Sequence, residues 1–284
     1  MPLSSVAEAN PIVDWDDAYA NADHIPAATQ FLSHWPRAAA DFRRQLVADG
    51  RCQLDTPYGN HPRACFDIFL PTGESRGLVL FVHGGYWLRF CRQDWSHLAT
   101  GVVQRGYTAV LPSYPLCPEV SIAEISEYTA QALIQAASSI VGPIHLAGHS
   151  AGGHLVTRLL CVDSKLPDSV LSRIQKTVSI SGVHDLVPLL NTAMNKQFRL
   201  DQNSALVASP ARQIPLAGID VCAWVGADER PEFLRQSELL VSLWNSCGAR
   251  AVAHVEPGRH HFNVIEDLLN PNSTMLDWLL TDSK

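Results

Sequence analysis

Seven short apolar runs recur along the chain, at residues 64–70, 78–82, 108–111, 144–147, 177–180, 221–225 and 251–255. Several are unbroken stretches of four or five hydrophobic side chains, the pattern of strands buried on both faces of a parallel sheet. Helical stretches stand between them at 94–104, 122–140, 153–162 and 233–245, and one more closes the chain at 274–280. This alternation predicts the α/β class: a doubly wound, mostly parallel central sheet with helices on both faces and ligands beyond the carboxyl ends of the strands. Residues 1–284 are read as one domain. Before the first strand, residues 11–48 carry Trp15, Tyr19, Phe31, Trp35 and Phe42 and end in a helix predicted from Pro36 to Ala48, so residues 1–50 are read as an N-terminal cap. Residues 182–215 show weak periodicity and contain Pro188, Pro210 and Pro215, which predicts a lid-like excursion over the site.

Function is therefore sought in the loops that follow strands. Gly148-His149-Ser150-Ala151-Gly152 reads G-x-S-x-G, with the apolar run 144–147 before it and a helical stretch after it. That context puts Ser150 on a sharp strand-to-helix turn, where a nucleophilic hydroxyl is exposed. The pattern alone is weak, since Gly73-Glu74-Ser75-Arg76-Gly77 also fits it. That second match follows Pro71-Thr72, is polar throughout and runs into a strand, which marks a surface turn.

A serine hydroxyl needs a base to take its proton and a carboxylate to hold that base in the right tautomer. After the run 221–225 comes Gly226-Ala227-Asp228-Glu229-Arg230-Pro231, which offers two adjacent acids. After 251–255 comes Pro257-Gly258-Arg259-His260-His261-Phe262, which offers two histidines. An oxyanion hole requires backbone N–H groups that approach the reacting carbonyl closely. Val82-His83-Gly84-Gly85-Tyr86-Trp87 lies where such a loop belongs. Gly84 and Gly85 permit the approach, and the N–H groups of Gly85, Tyr86 and Ala151 are the candidate donors.

Composition narrows the partners. The 284 residues carry a formal charge of −7 with no clustered Lys/Arg, which argues against nucleic acid and anionic membrane and leaves a small-molecule substrate. No apolar run approaches a membrane span, and the first residues have neither a basic start nor an apolar segment, so no leader is expected. Seven cysteines, with no C-x-x-C pair, read as reduced thiols in a cytoplasm. Twelve histidines raise the question of a metal, but there is no H-E-x-x-H, and His149 and His154 have no carboxylate neighbour in sequence; neither metal nor cofactor is expected. His83 and His149 read as structural groups bonded to loop backbone. Trp15, Trp35 and Trp95 read as core. Arg89 and Arg92 read as solvated, with pairing to a substrate carboxylate as the alternative.

The HGG-Tyr-Trp loop at 83–87, the elbow from Gly148 to Gly153 and the final His-Phe pair resemble the arylformamidase (kynurenine formamidase) branch of the α/β-hydrolases, near the hormone-sensitive-lipase type of esterase. The resemblance runs from about Tyr58 to the C-terminus. It implies a serine hydrolase of the Ser-acid-His order, with arylformamidase as the specific reaction and a short-chain carboxylesterase or a non-catalytic ligand receptor as alternatives. It selects Glu229, three residues after Gly226 and two before Pro231-Glu232-Phe233, with Asp228 as fallback. The branch more often has Asp at this place, so glutamate is a departure. It also selects His261, which precedes Phe262. Two large rings beside the hole, Tyr86 and Trp87, would suit an aromatic substrate or a small acyl group, and Trp87 is taken as a substrate contact.

Overall fold

The structure is a computed structural model that describes residues 14–281. Residues 1–13 of the expected cap lie outside the described residues. Eight strands form one sheet: β1 (Cys52–Pro57), β2 (Cys65–Phe69), β3 (Leu78–Val82), β4 (Thr108–Pro112), β5 (Ile144–His149), β6 (Ile174–Ile180), β7 (Asp220–Gly226) and β8 (Arg250–Glu256). Their spatial order is β1-β2-β4-β3-β5-β6-β7-β8. From β4 to β8 all neighbours are parallel, while β2 runs antiparallel to β4 and β1 to β2. The helices are α1 (Trp15–Tyr19), α2 (Ala28–Ala48), α3 (Thr100–Gln104), α4 (Ile122–Ser139), α5 (Ala151–Arg158), α6 (Asp168–Leu171), α7 (Asn195–Phe198), α8 (Gln202–Ala208), α9 (Pro231–Ser246) and α10 (Thr274–Leu280).

The period of two in each strand divides the core. Leu78, Leu80 and Val82 of β3 pack on one face with Leu133 of α4, Leu155 of α5 and Leu240 of α9. Val79 and Phe81 pack on the other face with Trp35 of α2, Val102 of α3 and Leu276 of α10. Both faces of β3 are thus apolar, which is why it reads as a continuous run instead of an alternating one.

Four local expectations give way to tertiary context. β1 escapes the sequence reading because it is an edge strand with alternating half-buried and exposed residues, interrupted by a register shift around Asp55, which sits at φ +56°. Helix α2 begins at Ala28, and Pro36 lies inside it, one residue after Trp35, whose buried ring holds the helix on the sheet. Residues 94–104 break into short 3-10 turns before α3, because the Asp94 carboxylate turns back to accept the Cys91 N–H at 2.9 Å. Finally, α5 starts at Ala151 and stops at Arg158, and the chain beyond it leaves to pair with the end of the excursion, Val162 N–H donating to the Ile214 carbonyl at 2.9 Å. No helix among the described residues is long and apolar enough to cross a membrane.

Candidate active site

The six parallel strands, β3 to β8, deliver the loops that follow them to one end of the sheet. Ser150 caps the β5-to-α5 turn at φ +55° and ψ −115°, a backbone conformation that a non-glycine residue adopts at a cost of about 1–3 kcal/mol. Its N–H donates to the Ile180 carbonyl at 2.8 Å, which ties the turn to the end of β6. The turn closes tightly because of Gly152: a Cβ there would lie 1.9 Å from the Val82 carbonyl oxygen, so only glycine lets α5 approach β3. Ser75, by contrast, spends its hydroxyl on strand ends, accepting the Thr108 N–H at 3.2 Å and donating to the Gly77 carbonyl at 3.0 Å.

The loops after β7 and β8 bring Glu229 and His261 together. His261 Nδ1–H donates to Glu229 Oε2 at 2.6 Å, with Glu229 8% and His261 4% exposed. The other carboxylate oxygen accepts from the Ser181 hydroxyl at 2.5 Å and from the Gly226 N–H at 2.9 Å. Asp228 is exposed. His260 faces elsewhere: its Nδ1 accepts the Phe262 N–H at 3.2 Å, and its ring meets Phe31 edge-on at 5.2 Å. The His261 carbonyl accepts Nε2–H of His149 at 2.9 Å, so His149 braces the histidine loop. Burial, with His261 beside it, holds His149 well below the ordinary histidine range and therefore neutral.

The loop after β3 carries three successive positive φ angles, +110° at Gly85, +55° at Tyr86 and +56° at Trp87. The N–H groups of Gly85, Tyr86 and Ala151 have no protein acceptor among the described residues. The strain is held by bonds from outside the loop and by one within it. The Tyr86 hydroxyl donates to the Tyr19 carbonyl at 2.6 Å and accepts from Asn21 Nδ2 at 3.1 Å. His83 Nδ1–H donates to the Gly84 carbonyl at 2.7 Å, with its ring stacked 4.4 Å from Tyr114. Gly84 packs under the elbow, where a Cβ would stand 3.0 Å from that of Ser150. Trp87 is not brought to the pocket: it is buried, edge-on to His154 at 5.0 Å and Phe198 at 5.7 Å.

Ser150, His149 and His261 line a small pocket with Trp35, Gly85, Tyr86, Arg89, Phe90, Trp95 and Phe262. Its free volume is about 20 Å³, little more than a single water molecule requires. The aromatic walls were not legible as such in the sequence. Trp35 comes from α2 and meets Trp95 at 4.6 Å and Phe262 at 5.1 Å, so rings that read as core are at once core and pocket wall. Residues 182–215, folded as α7, α8 and 3-10 turns, contribute none of these lining residues and pack instead behind Trp87. Arg92, open as a substrate contact in the sequence, is buried against Asp67 and Asp55, with Nε 2.9 Å from the Asp67 carboxylate. Arg89 stays exposed. Among the described residues no group of three or more His, Cys, Asp or Glu side chains is placed to hold a metal ion.

The site stands on buried neutral histidines. Burial pushes His83, His154 and His184 down to about 3 and His97 to about 4. In the unfolded chain the same side chains take a proton near pH 6.5, so below that pH the unfolded state binds more protons and the fold loses stability. Each contributes a slope of up to about 1.4 kcal/mol per pH unit, down to the native value. Thermal unfolding followed by circular dichroism is expected to show Tm falling steeply from pH 7 to pH 5. A flat Tm over that range would contradict the assignment.

The model of the α/β-hydrolase family matches residues 79–279. Curated relatives include a kynurenine formamidase of Danio rerio, 31% identical over 238 residues and covering 80% of each chain. A kynurenine formamidase of Drosophila melanogaster is 25% identical over 251 residues, covering 83% of each. Among solved structures, a putative thioesterase from Silicibacter sp. TM1040 is 45% identical, with a TM-score of 0.89 over 94% of this chain and 99% of that one. Esterase B from Lactobacillus rhamnosis shares the fold, with a TM-score of 0.64 at 16% identity over 84% of this chain and 87% of that one. A family match that runs from the first parallel strand to the last helix, over a sheet that presents its serine on a strained turn, makes this protein a hydrolytic enzyme of the α/β-hydrolase family and a relative of the kynurenine formamidases.

Proposed function

We propose that the enzyme cleaves an aryl formamide, the arylformamidase reaction that converts N-formylkynurenine to kynurenine and formate, through an acyl-enzyme on Ser150. Ser150 Oγ attacks the formyl carbon while His261 Nε2 takes its proton, and Glu229 keeps the Nδ1–H of that ring in place. The carbonyl oxygen becomes negative against the N–H groups of Gly85, Tyr86 and Ala151, with Gly84 allowing the close approach. His261 then gives its proton to the departing arylamine nitrogen, and water repeats the sequence on the formyl-enzyme to release formate.

The observation that carries this reading is the lining of the pocket. Ser150 opens into a narrow space walled by Trp35, Tyr86, Phe90, Trp95 and Phe262, faces that suit an aryl substrate carrying a small acyl group. The relatives named kynurenine formamidase support the same choice. In this reading the chain works as one hydrolase domain, and its N-terminal helices act as a cap. Trp35 of α2 closes the pocket wall, and residues 19 and 21 hold Tyr86. The seven cysteines are free thiols, which suits a reducing, cytoplasmic setting. The test compares kcat/KM on N-formylkynurenine with that on phenyl acetate, phenyl butyrate and an acyl thioester. The formamide is expected to be preferred and rates to fall as the acyl chain lengthens. A preference for butyrate would replace the formamidase by a short-chain carboxylesterase.

A further inference from the structure

The rim of the Ser150 pocket carries a cation without a protein counter-ion. Arg89 lines the pocket and is exposed, and no carboxylate of the described residues pairs with it. Its guanidinium carbon instead lies 5.5 Å from the ring centroid of Tyr86 and 5.1 Å from that of Phe90. Three residues on, Arg92 shows the opposite treatment, enclosed by Asp67, Asp55 and Ser113 as part of the framework. Aromatic faces restrict a guanidinium without neutralising it, so its hydrogen-bond fork remains available to an anion. In a chain of net charge −7, a lone arginine beside the nucleophile also offsets a field that would repel anionic substrates.

From this arrangement we infer that Arg89 binds a carboxylate of the substrate, so that the preferred substrates are aryl formamides that bear a carboxylate, the ring lying along Tyr86 and Phe90 and its carboxylate reaching the guanidinium. The inference rests on the formamidase reading and narrows it. Arg89 is a specificity residue here and takes no part in proton transfer.

The experiment measures kcat/KM for a matched pair, N-formylanthranilate and neutral formanilide, with the native enzyme, Arg89→Gln and Arg89→Lys. The native enzyme is expected to prefer the anion, and Arg89→Gln is expected to lower the anion-to-neutral ratio by about 10- to 100-fold, mainly through KM. Arg89→Lys should recover part of the ratio. Equal loss on both substrates would assign Arg89 a purely structural role and overturn the inference, as would an unchanged ratio. A second readout does not depend on formamide turnover: kynurenine should slow fluorophosphonate labelling of Ser150 in the native enzyme and do so far less in Arg89→Gln. If neither formamide is cleaved but this protection by kynurenine depends on Arg89, the reaction assignment fails and the carboxylate site stands. If formamides are cleaved and protection is the same in both proteins, the carboxylate site fails and the reaction stands.

Discussion

Ser150→Ala is expected to lower kcat on N-formylkynurenine by about 10⁴-fold or more, the scale at which serine hydrolases lose rate when the nucleophile alone is removed. The residual rate would come from the oxyanion donors and from binding, since neither depends on the hydroxyl. Alanine keeps a Cβ on the same strained turn, and the Ser150 N–H bond to Ile180 is a backbone bond, so the fold should survive and the loss should fall on kcat. A fluorophosphonate probe should label the native protein at Ser150 and leave Ser150→Ala unlabelled. Ser75→Ala, which touches only the hydrogen bonds between strand ends, should still be labelled. Retention of more than a trace of activity in Ser150→Ala would remove the acyl-enzyme from the mechanism.

The second large effect separates two neighbouring acids. Glu229→Gln is expected to cost about 10⁴-fold in kcat near neutral pH, whereas Asp228→Asn should change it by less than about threefold. The reason lies in what surrounds the carboxylate. Glu229 Oε1 accepts two hydrogen bonds, from Ser181 and from Gly226, so a glutamine there must direct its amide oxygen to those donors and its NH₂ toward His261. The imidazole then presents a bare Nδ1 to the amide and carries its proton on Nε2, where it can no longer accept from Ser150. Asp228 is exposed and has no such coupling. Steady-state kinetics on the two purified variants decide the matter, and a larger loss in Asp228→Asn would reverse the assignment.

Much of the framework was legible in the order of residues. The unbroken apolar runs that become β3 and β7 are demanded by burial on both faces, and the glycines of the elbow and of the 83–87 loop are demanded by backbone contacts that no side chain tolerates. Both constraints act within a few residues and leave local marks. The edge strand β1 left no such mark, because half of it faces solvent and its pairing with β2 supplies what its composition does not.

The distinctions that matter for chemistry are of another kind. Asp228 and Glu229 are adjacent and similar in sequence, as are His260 and His261. Only packing buries one member of each pair against the other pair's partner and turns the remaining two to the surface or into a turn. Arg89 and Arg92 differ in the same way, since the buried Asp67 that claims Arg92 lies 25 positions away in the chain. Trp35 reaches the pocket across more than a hundred residues of chain, and Tyr86 keeps its strained backbone through bonds to residues 19 and 21. Sequence alone therefore determined the α/β class, the strand ends that carry the candidate site and the order of serine, acid and histidine, because strand burial and tight turns are local requirements, and the resemblance singled out Glu229 and His261. Tertiary structure alone decided that these two pair while Asp228 and His260 turn away, that Arg92 belongs to the framework and that Trp35 walls the pocket while Trp87 does not, because burial and pairing are properties of neighbours that the chain brings together only when folded.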